Sequence, residues 1–266
     1  VVSLREKGLI GEIIKNKGII VYSLHIQGLL SSTKALWKLI YILYKEKPDI
    51  IQGWMYHGNI TAYIASLFYK YNHRVIWNIR HSLHAGGREK RLTLFVIYFC
   101  AKLSGKESSI LYNSHESSKQ HAKIGYNTSH SKFIGNGFDC EKFKPNESAR
   151  KKFRDSLGIN STDILIGHAA RYHPMKDHLS FLCAASMLTN KKNVYYILVG
   201  RDIDADNKYL VSLIKKKGLD GKVFLMGEFR NMAIFYASLD IFCLSSAWGE
   251  GFPNVLGEAM SCCVPC

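Results

Sequence analysis

Two glutamates, Glu250 and Glu258, stand eight positions apart around the turn Gly251-Phe252-Pro253-Asn254, close to the end of this 266-residue chain. Val255, Leu256, Ala259 and Met260 follow at helical spacing, so the turn is expected to open a helix whose apolar side faces a core. Pro253 suits the first turn, where its missing N–H costs nothing. Amides at such a helix start, with the helix dipole behind them, form a seat for an anionic phosphate. A carboxylate on either side of that seat could accept hydrogen bonds from sugar and ribose hydroxyls. This spacing therefore suits the holding of a nucleotide-sugar, with Gly251, Phe252, Pro253, Asn254, Val255 and Glu258 as the binding candidates.

The elements that must position these groups are legible in the apolar pattern. Short apolar runs alternate with helical-period segments throughout, as in an α/β protein with parallel strands. Strands are expected at 19–24, 50–52, 74–79, 109–113 and 132–134, then at 165–170, 195–199, 223–226 and 241–244. Amphipathic segments at 33–45, 60–69, 177–188 and 207–217 lie between them, the third with Asp177 as its N-cap. Residues 1–17 read as helix. The polar stretch 139–163, which carries Pro145 and the run Arg150-Lys151-Lys152-Phe153-Arg154, separates the two series. A boundary near residue 146 is expected, giving domains 1–145 and 146–266. Both ends read as cut: a first strand is expected ahead of residue 1, and Val264-Pro265-Cys266 heads into another.

Composition narrows the class. Hydrophobic residues make up 47% and charged residues 21%, the balance of a soluble globular protein. The apolar stretch Leu92–Leu103 contains Thr93 and Lys102 and is too short to cross a bilayer. With its basic flank, the segment Arg88–Phe99 fits either a core helix or one lying on a membrane surface. Seven cysteines show no metal-ligand spacing, and Cys262, Cys263 and Cys266 lack the partners of a zinc set, so reduced thiols in a cytosolic protein are expected. Residues 1–145 hold 21 Lys and Arg against 9 Asp and Glu, a net +12, whereas residues 146–266 hold 15 against 12, a net +3. Such asymmetry suggests an anionic partner for the first half: acidic lipid headgroups, a pyrophosphate-linked acceptor or nucleic acid. No zinc finger, RNA-binding aromatic signature or basic zipper accompanies the charge, which argues against nucleic acid.

The stretch Ser245-Ser246-Ala247-Trp248-Gly249-Glu250-Gly251-Phe252-Pro253-Asn254-Val255-Leu256-Gly257-Glu258-Ala259-Met260 resembles the E-x7-E signature of the retaining glycosyltransferases of family four, which have the GT-B fold. The likeness covers nearly the whole chain. Gly167-His168-Ala169-Ala170-Arg171-Tyr172-His173-Pro174-Met175-Lys176 resembles the loop after the first strand of the nucleotide domain. There the matching Arg and Lys grip the donor diphosphate, as a departing anion requires when two fixed cations stand in for a metal. Leu198-Val199-Gly200-Arg201 is similar to the family's strand-end glycine turn near the nucleotide. The segment 224–230, ending in Arg230, is similar to the loop whose backbone reads the base. Gln52-Gly53-Trp54-Met55-Tyr56-His57-Gly58-Asn59 resembles the acceptor-domain loop in which a histidine lies against the donor sugar. Asn78–Ser82 is a second candidate for the acceptor cleft, and Asn113-Ser114 and Gly135–Asp139 resemble the approach to the interdomain hinge. Two departures stand out. Cys263 occupies a position where the family usually has glycine, which favours positive φ, and the family's amino-terminal glycine-rich loop and carboxy-terminal crossover helix are not present in these residues.

The resemblance implies two Rossmann-like domains facing across a cleft, and transfer of a sugar from a nucleoside-diphosphate donor to a hydroxyl acceptor with retention. It implies no cofactor beyond that co-substrate and no metal. Arg171 and Lys176 would stabilise the diphosphate, Glu258 would hold the ribose, Glu250 would orient the sugar, and His57 would contact it from the other domain. A saccharide or lipid-linked acceptor, a cytoplasmic setting and peripheral contact with an anionic inner membrane face are expected, in the assembly of a bacterial envelope polysaccharide. The alternatives are a GT-B-fold nucleotide-sugar epimerase, which needs no acceptor, and a non-catalytic nucleotide-sugar-binding protein.

Overall fold

Aliphatic and β-branched runs give short parallel strands with the intervening segments as crossover helices, in the computed structural model, which describes residues 1–83, 91–106 and 109–266. Two units result, Val1–Gly135 and Asn136–Cys266. In the first, β1 (Val2–Ser3), α1 (Gly8–Asn16), β2 (Tyr22–Ser23) and α2 (Leu29–Glu46) precede β3 (Ile50–Trp54) and α3 (Met55–Ser66). There follow β4 (Arg74–Ile79), α4 (Arg91–Leu103), β5 (Ser109–Tyr112), α5 (His115–Lys123) and β6 (Ser131–Phe133). β1 pairs with β2, and β3-β4-β5-β6 form a parallel sheet in that order. Trp77, Ile79, Ile97, Cys100 and Ile110 fill its core.

Two local expectations change in this unit. Residues 1–17 are not one helix: Val2–Ser3 pair with Tyr22–Ser23, and the helix starts only at Gly8. The helix expected at 60–69 begins at Met55, directly off β3. Gly53 makes room for this, because a Cβ there would stand 2.5 Å from the Asn59 Cα. The buried Asn59 carboxamide oxygen then accepts from the Asn78 N–H of β4 at 3.2 Å and ties α3 to the sheet. Of the segment Arg88–Phe99, residues 88–90 lie outside the described residues, and the rest belongs to α4.

The second unit contains α6 (Glu147–Ser156), β7 (Ile164–Ala169), α7 (His178–Ser186), β8 (Val194–Val199) and α8 (Lys208–Lys216). It ends with β9 (Val223–Leu225), α9 (Met232–Ala237), β10 (Ile241–Phe242) and α10 (Asn254–Ser261). The strand order β10-β7-β8-β9 is parallel throughout. The basic run expected as a linker is α6, capped by the Asn146 side chain on the Ala149 N–H. Its Arg154, 3% exposed, donates to the Asp240 carboxylate at 2.9 Å, and Arg150 reaches the other Asp240 oxygen at 2.5 Å. Burial raises the Asp240 carboxyl, but the Leu165 N–H and the two guanidinium groups outweigh it and leave the pKa below the ordinary range. A buried cation with this many acceptors is a fixed strut rather than a linker residue.

The boundary falls after Gly135 rather than near 146. Phe143 belongs to the core of the second unit, and Phe138 lies directly on Gly257 of α10. Met260, expected in the core, is exposed, whereas Val255, Leu256 and Ala259 pack as expected. Cys263 has φ +60°, the conformation for which glycine is favoured at that position. A Cβ on Gly257 would come within 2.1 Å of Phe138 Cζ. Gly257→Ala should therefore cost about 1–3 kcal/mol in urea unfolding, and Phe138→Leu in the same chain should recover part of it. A Gly257→Ala protein as stable as the parent would contradict this packing.

Candidate functional site

The site in the second unit forms where the chain leaves the carboxyl ends of β7, β8 and β10, the usual place for a ligand in an open parallel sheet. Arg171 emerges from β7 into solvent, and among the described residues no side chain pairs with it. Its loop is held from the backbone: Ala170 N–H donates to Val199 O at 3.0 Å and Tyr172 N–H to Arg201 O at 2.8 Å. Gly200 makes the contact possible. It has φ +144°, and a Cβ there would lie 2.1 Å from Ala170 O. Gly200 thus seats the Arg171 loop by close backbone approach.

Lys176 ends the 3-10 turn Pro174–Lys176, and its ammonium forms an ion pair with the Glu250 carboxylate. The same Glu250 oxygen accepts from Ser246 Oγ at 2.9 Å. Ser245 Oγ donates to Lys176 O at 2.8 Å and meets His168 Nε2 at 3.0 Å, while Ala247 N–H donates to Met175 O at 2.9 Å. These contacts sew the loop after β7 to the loop after β10, so that Lys176 and Glu250 share one rim. Asp177 caps α7 through its bond from Ser180 N–H, as expected, at φ +45°. Asp202, beyond β8, and Met55, beyond β3 in the first unit, are likewise left-handed, at +60° and +59°. Such backbone is uncommon outside glycine and collects at functional loops.

Glu250 leads into the turn whose first helical residue is Asn254, with Pro253 as the N-cap rather than within the first turn. Asn136 Nδ2 donates to Phe252 O at 3.0 Å and to Asn254 Oδ1 at 2.7 Å, and the Phe138 and Phe252 rings lie 6.0 Å apart. These contacts hold the Gly251–Val255 turn from behind, and of the first-turn amides that of Leu256 already donates to Pro253 O at 3.2 Å. Glu258 lies about one turn into the helix, half-buried beside the Tyr236 hydroxyl; burial first and the Glu258 charge second raise that phenol. The two glutamates therefore have different neighbours. Arg230 is exposed beyond β9, and it is Arg201 that pairs with Glu228, at 3.0 Å. Among the described residues no group of three or more His, Cys, Asp or Glu could hold a metal ion.

In the first unit His57 sits in the first turn of α3 rather than on a loop, exposed at a cavity of about 830 Å³ that Leu36 and Thr61 also line. The Asn78–Ser82 segment carries a network that the sequence did not disclose. His121 Nδ1 lies 2.7 Å from Ser117 O and must donate to it, so Nε2 accepts from Tyr56 OH at 2.8 Å. Tyr56 then accepts from His81 Nδ1–H at 3.0 Å, and Ser117 Oγ holds the His81 carbonyl at 2.6 Å. One buried chain of bonds thereby fixes the His81 tautomer.

The fold is of the GT-B type. The structure superposes on Anabaena HepE, solved in complex with UDP and glucose, with a TM-score of 0.82 at 22% identity, over 99% of this chain and 71% of that one. It is also similar to the lipopolysaccharide outer core galactosyltransferase WaaB in its apo form, with a TM-score of 0.68 at 16% identity, over 98% of this chain and 66% of that one. Residues 149–266, the stretch that holds Arg171, Lys176, Glu250 and Glu258, match the family Glycosyl transferases group 1. EpsF of Bacillus subtilis (strain 168) is 28% identical over 133 residues, 50% of this chain and 34% of that protein. MJ1059 of Methanocaldococcus jannaschii, an uncharacterized glycosyltransferase, is 27% identical over 278 residues, 99% of this chain and 66% of that protein. The chain thus spans about a third of the one relative and 66% of the other.

Behind the rim, His168 and His178 are buried with ring centroids 4.7 Å apart, and burial lowers them to about 3 and about 4. They stay neutral in the fold while an unfolded histidine titrates near 6.5. Between those values the unfolded chain binds more protons, so stability falls as the pH drops from about 6.5 towards 4. Buried His121, lowered to about 4, acts in the same direction in the first unit. Urea midpoints taken downward from about pH 7 should decrease across that window. A flat profile down to about pH 5 would contradict the assignment.

Proposed function

We propose that this protein is a retaining glycosyltransferase that moves a sugar from a nucleoside-diphosphate donor to a hydroxyl acceptor without a metal. The observation that carries the reading is the Lys176–Glu250 pair, which fixes a cation beside the amino end of α10 within the stretch that matches the group 1 family. Arg171 and Lys176 stabilise the diphosphate as negative charge develops on it. The amides of Gly251 to Val255 receive a phosphate, and Glu258 accepts from the ribose. Glu250 orients the donor sugar and holds Lys176 in place. Gly200 acts by seating the Arg171 loop, Arg230 lies at the base end, and His57 is a candidate sugar contact. The leaving phosphate assists removal of the acceptor proton on the same face.

Uridine diphosphate sugars are the first donors to test, because HepE has been solved with UDP and with UDP-glucose. The acceptor is a saccharide or a lipid-linked glycan of a bacterial envelope polysaccharide, made on the cytoplasmic side of the membrane. WaaB, a lipopolysaccharide galactosyltransferase by name, supports that setting. Among the described residues no helix is long and apolar enough to cross a membrane, and the basic first half supports a peripheral attachment.

A thermal-shift titration with UDP-, GDP-, ADP- and TDP-sugars tests the donor site. One nucleotide class should stabilise the protein by mass action, and Glu258→Ala should weaken that binding about tenfold or more. No stabilisation by any of the four, in a protein that melts cooperatively, would remove the reading. Arg171→Ala should lower kcat by about 10²–10³ with a much smaller change in KM, because its charge matters most as the phosphate departs. Equal kcat in the two proteins would remove that role.

A further inference from the structure

The outer face of α2 and the chain after α3 expose more aromatic surface than a soluble face requires. Trp37 and Tyr41 are each 68% exposed, and Leu67, Phe68 and Tyr71 are 64%, 49% and 48% exposed. The residues are contiguous: the Trp37 and Phe68 rings lie 6.4 Å apart, and Tyr44 lies 5.9 Å from Tyr71 and bonds Phe68 O at 3.0 Å. A connected apolar patch of this kind marks a place where something docks.

Its residue types and charge select the occupant. Trp and Tyr are amphipathic rings that settle at the headgroup level of a bilayer. Lys34, Lys38, Lys45, Lys47 and Lys70 are interspersed with them in the sequence, all exposed. Lys47 lies over the Tyr71 ring at 5.4 Å, Lys38 turns to Ser23 O at 2.8 Å, and Lys45 lies over Tyr22 at 5.5 Å. The acidic residues nearby are Glu46, which accepts from Tyr22 OH at 2.7 Å, and Asp49. The segment selected from sequence is a weaker fit. On α4, Leu92, Phe95, Tyr98 and Phe99 are exposed, but among the described residues its cations Arg91 and Lys102 lie only at its two ends.

We infer that the Trp37–Tyr41–Phe68 face with its lysines is a docking surface for an anionic lipid bilayer. The aromatic rings enter the interface, and Lys34, Lys47 and Lys70 meet the acidic headgroups. This gives a location to the membrane contact of the reading above, without resting on its donor site.

The test is co-sedimentation of the full chain with vesicles of phosphatidylcholine alone and of an equimolar mixture with phosphatidylglycerol, in the absence of nucleotide. The protein should sediment with the mixed vesicles and not with phosphatidylcholine. Lys34→Glu/Lys70→Glu and Trp37→Ser/Tyr41→Ser should each weaken this at least about tenfold, with unchanged melting and far-ultraviolet circular dichroism. Trp37→Phe should still sediment but lose the quenching of tryptophan emission by brominated lipid. No sedimentation with mixed vesicles, or sedimentation untouched by both double variants, overturns the inference. So does equally tight binding to heparin, or a dimer in solution, that depends on the same residues. Because no donor is present, these results are independent of the thermal-shift outcome, and each reading can fail alone.

Discussion

The candidate donor site depends on one partly buried contact, the ion pair between Lys176 and Glu250. Their side chains are 17% and 25% exposed, so neither is fully hydrated and each needs the other. Losing one partner would leave an uncompensated charge, which costs more than the pair contributes. The pair joins loops 74 residues apart in sequence. Ser246 shares the carboxylate, while Ser245 and His168 secure the backbone of Lys176 from behind. A cation in this setting is preorganised: it does not have to be gathered from solvent as charge develops on a departing phosphate.

Rigidity elsewhere in the second unit serves the same end. Arg150 and Arg154 bind Asp240 and the surrounding carbonyls, so the edge strand β10 is anchored to α6 just before the chain turns into the site. Gly200 brings the β8 turn against the Arg171 loop, and Phe138 on Gly257 braces α10. In the first unit a different device appears. His121, Tyr56 and Ser117 hold His81 from inside the core, and that order comes from hydrogen bonds rather than from charge. The aromatic face of α2 is the opposite case, since apolar area remains in solvent where burial would stabilise the fold.

The α/β pattern and most strands were legible because parallel strands buried on both faces read as apolar runs. The boundary was not, because the segment 139–163 looks polar while its few apolar residues, Phe143, Phe153, Leu157 and Ile159, pack into the core of the second unit. Arg154 read only as part of that polar separating stretch for the same reason: sequence shows a residue's type and not its partners. The start of α3 at Met55 depended on Gly53 making room for Asn59, a contact between neighbouring elements with no periodic signal.

What the sequence determined by itself was the chemistry on offer: two glutamates around a helix-opening turn, an Arg and a Lys after a buried strand, glycines at strand ends, and an excess of lysine in the first half. Local spacing and composition carry such information, because they set which groups a turn or helix can present. Tertiary structure alone decided that Glu250 faces Lys176 whereas Glu258 faces Tyr236, that the His81 tautomer is fixed through Tyr56, and that Trp37 meets Phe68 on an open face. Those pairings join residues far apart in the chain, and a contact set by the packing of sheet and helices leaves no mark in the residues between.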